Sequence, residues 1–156
     1  MSKFIVFSDI HGNYNALQKL KPLINENDGA FFAGDGLKDL LGLRVANLHY
    51  VSGNCDGFGE REKIVEVEDV KIFLTHGHEY GVKGDLQRLY YRASELGANV
   101  VIFGHTHQPL IQEINGILFL NPGSCSVFSV PQTFIYLCVQ GTKASAFLNK
   151  TTLNGV

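Results

Sequence analysis

Short apolar runs, each closed by glycine or a polar turn, alternate along this chain with two stretches of helical spacing. Residues 3–8, Lys-Phe-Ile-Val-Phe-Ser, favour β structure, which predicts a central strand buried on both faces. Two further strands are predicted over 30–33 and 48–52. Between the first two, Ala16, Leu17, Leu20, Leu23 and Ile24 make an apolar stripe at helical spacing behind Asn13, a suitable N-cap. A helical turn is expected over 37–43. From 61 to 74 the period shortens to alternation on either side of Glu68-Asp69, which predicts a β-hairpin. A second helix should open at Gly84 and Asp85, with Asp85 as N-cap, and stop at Gly97. Leu86, Leu89, Tyr90, Ala93 and Leu96 form its buried stripe, and Lys83, Arg88 and Arg92 its solvated face. A strand over 99–103 follows, then a hairpin of 110–114 and 117–120 about Asn115-Gly116, a strong turn signal. Residues 121–124 read as a turn, 133–139 and 144–148 as a strand pair across Gln140-Gly141, and the last residues as a frayed tail.

Strands mixed with helices, then hairpins, predict a layered α/β sandwich of two sheets with its loops gathered at one end. The length, 156 residues, suits one domain with a core able to fold without staples. No linker, repeat or low-complexity segment divides it. A formal charge of −2, from 13 basic and 15 acidic residues, offers no general basis for nucleic-acid binding. Three cysteines without a Cys-x-x-Cys pair make neither a disulfide framework nor a thiolate zinc site, and they suit a reducing, cytoplasmic setting. The N-terminal apolar run is too short for a signal segment, and no run approaches membrane-spanning length.

Chemistry collects where the strands end. Five of the six histidines lie in three short glycine-bearing stretches, each following an apolar run. These are Asp9-Ile-His11-Gly, His76-Gly-His78 and Gly104-His105-Thr-His107. In an extended chain, residues two apart share a face, so Asp9 with His11 and His105 with His107 are expected to point together. Asp35 stands between glycines after the second strand, and Asn54-Cys55-Asp56 between glycines after the third. Each of these is also what a tight turn would select. Together, Asp9, His11, Asp35, Asn54, His76, His105 and His107 are too many donors for one tetrahedral zinc. They suit a pair of divalent ions such as manganese, iron, cobalt, nickel or zinc. Two such ions against two carboxylates leave the site positive even after a hydroxide binds, a deficit that a phosphate ester would fill.

In order and spacing, Asp9-Ile-His11, Gly34-Asp35, Gly53-Asn54, His76-Gly77 and Gly104-His105-Thr-His107 resemble the motifs of the calcineurin-like metallophosphoesterases. The resemblance spans most of the chain. It implies a four-layer α-β-β-α sandwich of two mixed sheets flanked by helices. It further implies that Asp9, His11 and His107 hold one metal, that Asn54, His76 and His105 hold the other, and that Asp35 bridges them. The nucleophile would then be a hydroxide bridging the metals, with no side chain attacking. Asn54, Cys55 and His78 are the residues expected to face substrate.

Two departures narrow the class. Many family members carry histidine directly after the asparagine, where this chain has Cys55, and the protein-phosphatase branch carries an Asp-Arg-Gly that is absent here. Gly-Asn-Cys-Asp and the lack of an inserted domain resemble the small single-domain phosphodiesterases. Asp56 fits either support of the metal shell or a turn cap, and His78 either a substrate-facing or a structural role. Two other readings stand beside the diesterase: a phosphomonoesterase acting on a small metabolite, and a binding scaffold of the retromer-subunit type with a decayed metal site. Substrate choice would lie in variable loops or at an interface between identical subunits.

Overall fold

The computed structural model describes residues 1–151, so the frayed tail expected at the C-terminus lies outside the described residues. Strands β1 (Ser2–Phe7), β2 (Gly29–Phe32) and β3 (Leu48–Tyr50) run parallel, with helix α1 (Tyr14–Asn25) and the short α2 (Leu37–Leu40) between them. The hairpin β4 (Glu62–Val67) and β5 (Val70–Thr75) is followed by a 3-10 turn, His78–Tyr80, helix α3 (Gln87–Leu96) and β6 (Val100–Ile102). Two hairpins follow, β7 (Leu110–Ile114) with β8 (Ile117–Asn121), and β9 (Gln132–Gln140) with β10 (Lys143–Thr151). One sheet has the order β10-β9-β1-β2-β3 and the other β4-β5-β6-β8-β7. Both are mixed: the parallel strands β1, β2 and β3 form one side of the first sheet, and β5, β6 and β8 the centre of the second.

The alternation of side chains along β1 shows how the layers arise. Phe4 and Val6 point into the space between the sheets, where they meet Ile72, Leu74, Ile102 and Leu120 of the other sheet. Ile5 and Phe7 point the opposite way, onto Leu17, Leu20 and Ile24 of α1. In the second sheet Phe73, Val101 and Phe119 turn outward onto Leu89 and Ala93 of α3. A strand apolar on both faces therefore serves two cores, giving the order helix, sheet, sheet, helix. Among the described residues no helix is long and apolar enough to cross a membrane.

The element boundaries depart from the sequence reading in informative places. The strand expected over 48–52 stops at Tyr50 and that over 99–103 at Ile102, because the chain leaves the sheet there to build loops. Helix α3 opens at Gln87 and lacks a side-chain cap; the Asp85 carboxylate instead accepts from the Gln87 N–H at 3.0 Å before the helix begins. Arg92 is only partly solvated, reaching Glu62 at 3.6 Å and Glu95 at 3.3 Å. The last hairpin turns on Gly141-Thr142, since Gln140 pairs with Lys143. The expected caps and turns elsewhere are present. Asn13 Oδ1 accepts from the Ala16 N–H at 3.3 Å, and Asn115 and Gly116 both have positive φ, 46° and 83°, as a two-residue hairpin turn requires.

Leu74→Ala removes a fully buried side chain from between the sheets and should cost about 3 kcal/mol of unfolding free energy. Phe147→Ala, at a position 59% exposed, should cost less than about 1 kcal/mol. Urea denaturation of both variants measures this, and equal losses would contradict the layer assignment.

Candidate metal centre

Parallel strands end on the same side, so β1, β2, β3, β5 and β6 deliver the loops that follow them to one edge of the sandwich. Donor atoms of Asp9, His11 and His107 lie within 4.8 Å of one another there, and so do those of Asp35, His76 and His105. The two groups adjoin: His11 Nε2 is 3.7 Å from Asp35 Oδ2, and His76 Nε2 is 3.9 Å from Asp9 Oδ1. All six residues come from the set read in the sequence. The seventh, Asn54, is exposed on the loop after β3, with its amide nitrogen 3.7 Å from Cys55 Sγ.

The convergence does not come from strand alternation. Asp9, His11, Asp35, His105 and His107 all lie beyond their strands with left-handed backbones, φ running from 45° to 71°. Nine non-glycine residues among those described have positive φ, and these five are over half of them. Each such position costs on the order of 1–3 kcal/mol and persists only where its surroundings enforce it, typically at functional sites. Two glycines make the enforcement sterically feasible. A Cβ on Gly53 would overlap the Asp35 carboxylate, and one on Gly104 would overlap Ser8 and Asp9.

Asp9 is fully buried. Its Oδ2 accepts from Ser8 Oγ at 2.5 Å and from the His105 N–H at 3.2 Å. Its Oδ1 makes no hydrogen bond, although His107 Nε2 stands 3.1 Å away and His11 Nε2 3.6 Å away. A buried carboxylate oxygen left without a donor, among imidazole nitrogens, is the arrangement a cation completes. Burial works to raise the Asp9 pKa, but His107, His11 and His76 overcome it and hold the group well below the ordinary carboxylate range. Asp35 follows the same balance, with burial opposed by His76 at 3.1 Å and by the Cys55 N–H at 2.8 Å, and its pKa is lowered.

His76 Nδ1 lies 2.7 Å from the Ala33 carbonyl, which can only accept. The neutral ring therefore carries its proton on Nδ1 and turns the Nε2 lone pair toward the carboxylates. His105 Nδ1 is 3.2 Å from His76 Nε2, and burial followed by the charge of His76 lowers the His105 pKa. These residues supply nitrogen and oxygen donors at close quarters, buried at Asp9, Asp35 and His76 and open to solvent at His11 and His107, and they fit divalent metal ions. Chain 1–151 thus bears two adjoining three-donor groups sharing one edge.

The residue after Asn54 stands closer to this centre than its sequence suggests. Cys55 Sγ lies within 4.8 Å of donor atoms of His11 and Asp35. Burial, and then the charges of Asp35, Asp56 and Asp9, raise the pKa of its thiol. His78 opens the 3-10 turn, its ring centred 5.4 Å from that of His76 and 6.1 Å from that of His105. Its Nε2 lies 2.6 Å from Arg61 Nη1, so it accepts there and stands outside both donor groups.

The sequence matches a known domain. The model of the calcineurin-like phosphoesterase superfamily domain matches residues 2–143. The chain belongs to that superfamily. A protein of Bacillus subtilis named as a probable metallophosphoesterase is 36% identical over 135 residues, which is 85% of this chain and 80% of that protein. A phosphodiesterase of Methanocaldococcus jannaschii is 30% identical over 149 residues, covering 79% of this chain and 84% of the relative. In fold, the structure of vacuolar protein sorting 29 from Cryptosporidium parvum superposes with a TM-score of 0.74 at 22% identity, covering 96% of this chain and 97% of that one. This phosphoesterase is therefore a hydrolase of a metal-dependent family with phosphodiesterases among its relatives.

Several residues that build the phosphoesterase site were not singled out from sequence. Ser8 and Ser124 tie the Asp9 loop, the second by donating to the Asp9 carbonyl at 2.8 Å. Asn121 donates to the Gly104 carbonyl at 3.2 Å and to Thr106 Oγ1 at 2.9 Å, fixing the loop that carries His105 and His107. A serine or asparagine at a strand end carries no signal that would distinguish these roles. Asp56, left open between two roles, accepts four backbone N–H groups: Asp35 and Gly53 at 2.8 Å, and Gly36 and Leu37 at 3.1 Å. It caps α2 and clamps the loops of Asp35 and Asn54 together without belonging to either three-donor group.

Asp56→Ala leaves those four donors without their acceptor and should cost about 3 kcal/mol of stability, with Asp56→Asn losing less because one oxygen remains. Chemical denaturation measures both. An unchanged midpoint in Asp56→Ala would remove the clamp.

Proposed function

We propose that residues 1–156 form one domain that hydrolyses small phosphodiesters with two divalent metal ions. The observation that carries this reading is the unpartnered, buried Oδ1 of Asp9 among imidazoles, adjoining a second group of three donors. In this reading Asp9, His11 and His107 hold one ion, His76, His105 and Asn54 the other, and Asp35 touches both. Ions so placed supply a clamp on the phosphoryl oxygens and a water acidified enough to attack at neutral pH.

The chain's own residues prepare the rest. Asp9 and Asp35 are held as anions by their neighbours, so neither has to lose a proton to bind metal. The Ala33 carbonyl keeps a proton on His76 Nδ1, so the proton that gives way to a metal is the one on Nε2. In this reading His78, beside His105, serves the substrate side through Arg61, whose guanidinium it holds by accepting at Nε2 and which supplies positive charge there. Nitrogen and oxygen donors suit manganese, and equally admit iron, cobalt, nickel or zinc. Preference for diesters is supported by the phosphodiesterase relative, and Cys55 bears on the leaving group: a thiol with a raised pKa is a poor proton donor to a departing alcohol, which favours leaving groups that need none. A small free phosphate ester is the expected partner, and three free cysteines suit a cytoplasmic setting. The scaffold reading is disfavoured because every metal position is filled by a competent donor.

Chelation should abolish hydrolysis of an activated aryl phosphodiester, and manganese should restore it. Metal affinity should also depend on pH. The Asp9 carboxylate beside it raises the His11 pKa; burial opposes a rise at His76, but Asp35 prevails there too. Protons then compete with metal to a higher pH than at an ordinary histidine, so affinity falls as pH drops through that raised range and metal uptake releases protons. Calorimetric titration of metal into stripped protein measures this. A flat profile would take His11 and His76 out of the ligand set, and full activity without metal would end the two-metal reading.

Replacing the thiol by an imidazole should supply the missing acid, an effect of ~10²–10⁴-fold for well-placed general acids. In a series of aryl phosphodiesters, Cys55→His should weaken the dependence of rate on leaving-group pKa, with Cys55→Ser as the packing control. An unchanged slope in a Cys55→His protein of normal metal content would refute the argument.

A further inference from the structure

The loop between β8 and β9 exposes three apolar side chains in four positions: Val127 at 50%, Phe128 at 91% and Val130 at 87%. Single exposed apolar residues are ordinary, but a cluster bordering a cavity marks a binding surface. The cavity is a groove of about 420 Å³ with Pro109, Phe128, Val130 and Pro131 as its apolar lining and His107 and Lys150 among its polar lining. That volume lies in the range of small-molecule sites. The loop is tethered at its base, where Gln132 Nε2 donates to the Ser126 carbonyl at 2.9 Å and the Ser129 N–H to the same carbonyl at 3.1 Å. Through Ser124 it is fastened to the Asp9 backbone itself. The groove thus has one end in the metal centre, at His107, and an apolar, anchored wall leading away from it.

We propose that this groove seats one organic arm of the phosphodiester, and that the arm is a flat apolar ring, aryl or heteroaryl. The inference rests on the phosphoesterase reading of the metal centre and adds the substrate class to it. A diester places an anionic phosphorus between two organic groups. With phosphate at the metals, one of those groups must leave past His107. The aromatic face of Phe128, with Val130 and two prolines, presents apolar surface that a ring covers and a methyl group does not. Phe128 and Val130 face solvent without making part of either core, so changing them leaves the metal centre intact.

The test is calorimetric and needs no turnover: titration of methylphosphonate and 1-naphthylphosphonate into manganese-loaded protein, parent and the double variant Phe128→Ala, Val130→Ser. Both ligands should bind the parent, the naphthyl compound ~10-fold more tightly or better. The double variant should bind methylphosphonate as the parent does and lose most of the naphthyl advantage. Failure of either phosphonate to bind the loaded parent would overturn the phosphate-binding reading, and this inference with it. Equal affinities in the parent, or a naphthyl advantage that survives in the variant, would overturn the groove alone. Sedimentation of the parent and variant covers the other occupant: a parent dimer that the variant dissolves, with the naphthyl advantage unchanged, would make the patch an interface between copies instead.

Discussion

Two carboxylates held nearly out of water set the terms for the rest of this structure. Asp9 is fully buried and Asp35 is 2% exposed, and each is kept ionised by imidazoles against the pull of burial. Such groups are tolerable only with charge and hydrogen bonds supplied from all sides. That demand accounts for the crowding of five loops at one edge, for the glycines where backbone must pass within contact of a carboxylate, and for the strained backbone of five candidate ligands. It also accounts for the one oxygen that the protein leaves without a donor. A protein needing only stability would have satisfied Asp9 Oδ1 or replaced it; here the oxygen faces three imidazole nitrogens.

The sandwich is the frame that makes the strain affordable. Three apolar layers lock the strands from which the loops spring, so the loops inherit fixed starting points. Polar side chains then fix their paths. Asp56 joins the loops after β2 and β3 through four backbone N–H groups, Asn121 holds the loop after β6, and Ser124 binds the loop after β1. Rigid placement of this kind is what a metal centre requires, because donors displaced by an ångström no longer share an ion. The same tethering reaches outward along the chain from Ser124 into the apolar loop at Phe128, so the segment that fastens the Asp9 loop also lines the groove.

Similarity to known proteins and the reading of the residues point the same way by different routes. Family membership follows from a match along nearly the whole length of the chain. The donor set, by contrast, is read from chemistry, and the likeness in fold to a vacuolar sorting protein shows that this architecture by itself does not say whether a chain hydrolyses esters. What separates the readings is whether the donors are present and aimed. Here six of them meet in two groups.

The sequence alone determined the layers and the identity of the donors. Apolar runs of strand length, stripes at helical spacing and the Asn115-Gly116 turn are local signals, because each reflects what the backbone and its nearest neighbours prefer. Glycine-bracketed Asp35, and His105 with His107 after an apolar run, are legible for the same reason. How the donors converge was not. Strand alternation was expected to align Asp9 with His11 and His105 with His107, whereas the strands stop earlier and left-handed turns do the work. A left-handed residue other than glycine is enforced by distant contacts, and no short window of sequence contains them. The same holds for Asp56, whose partners lie up to 21 residues away in sequence, for Cys55, drawn beside His11 and Asp35, and for the groove joining His107 to Phe128. Each depends on which loops the packed sheets bring together, and only the tertiary structure decides that.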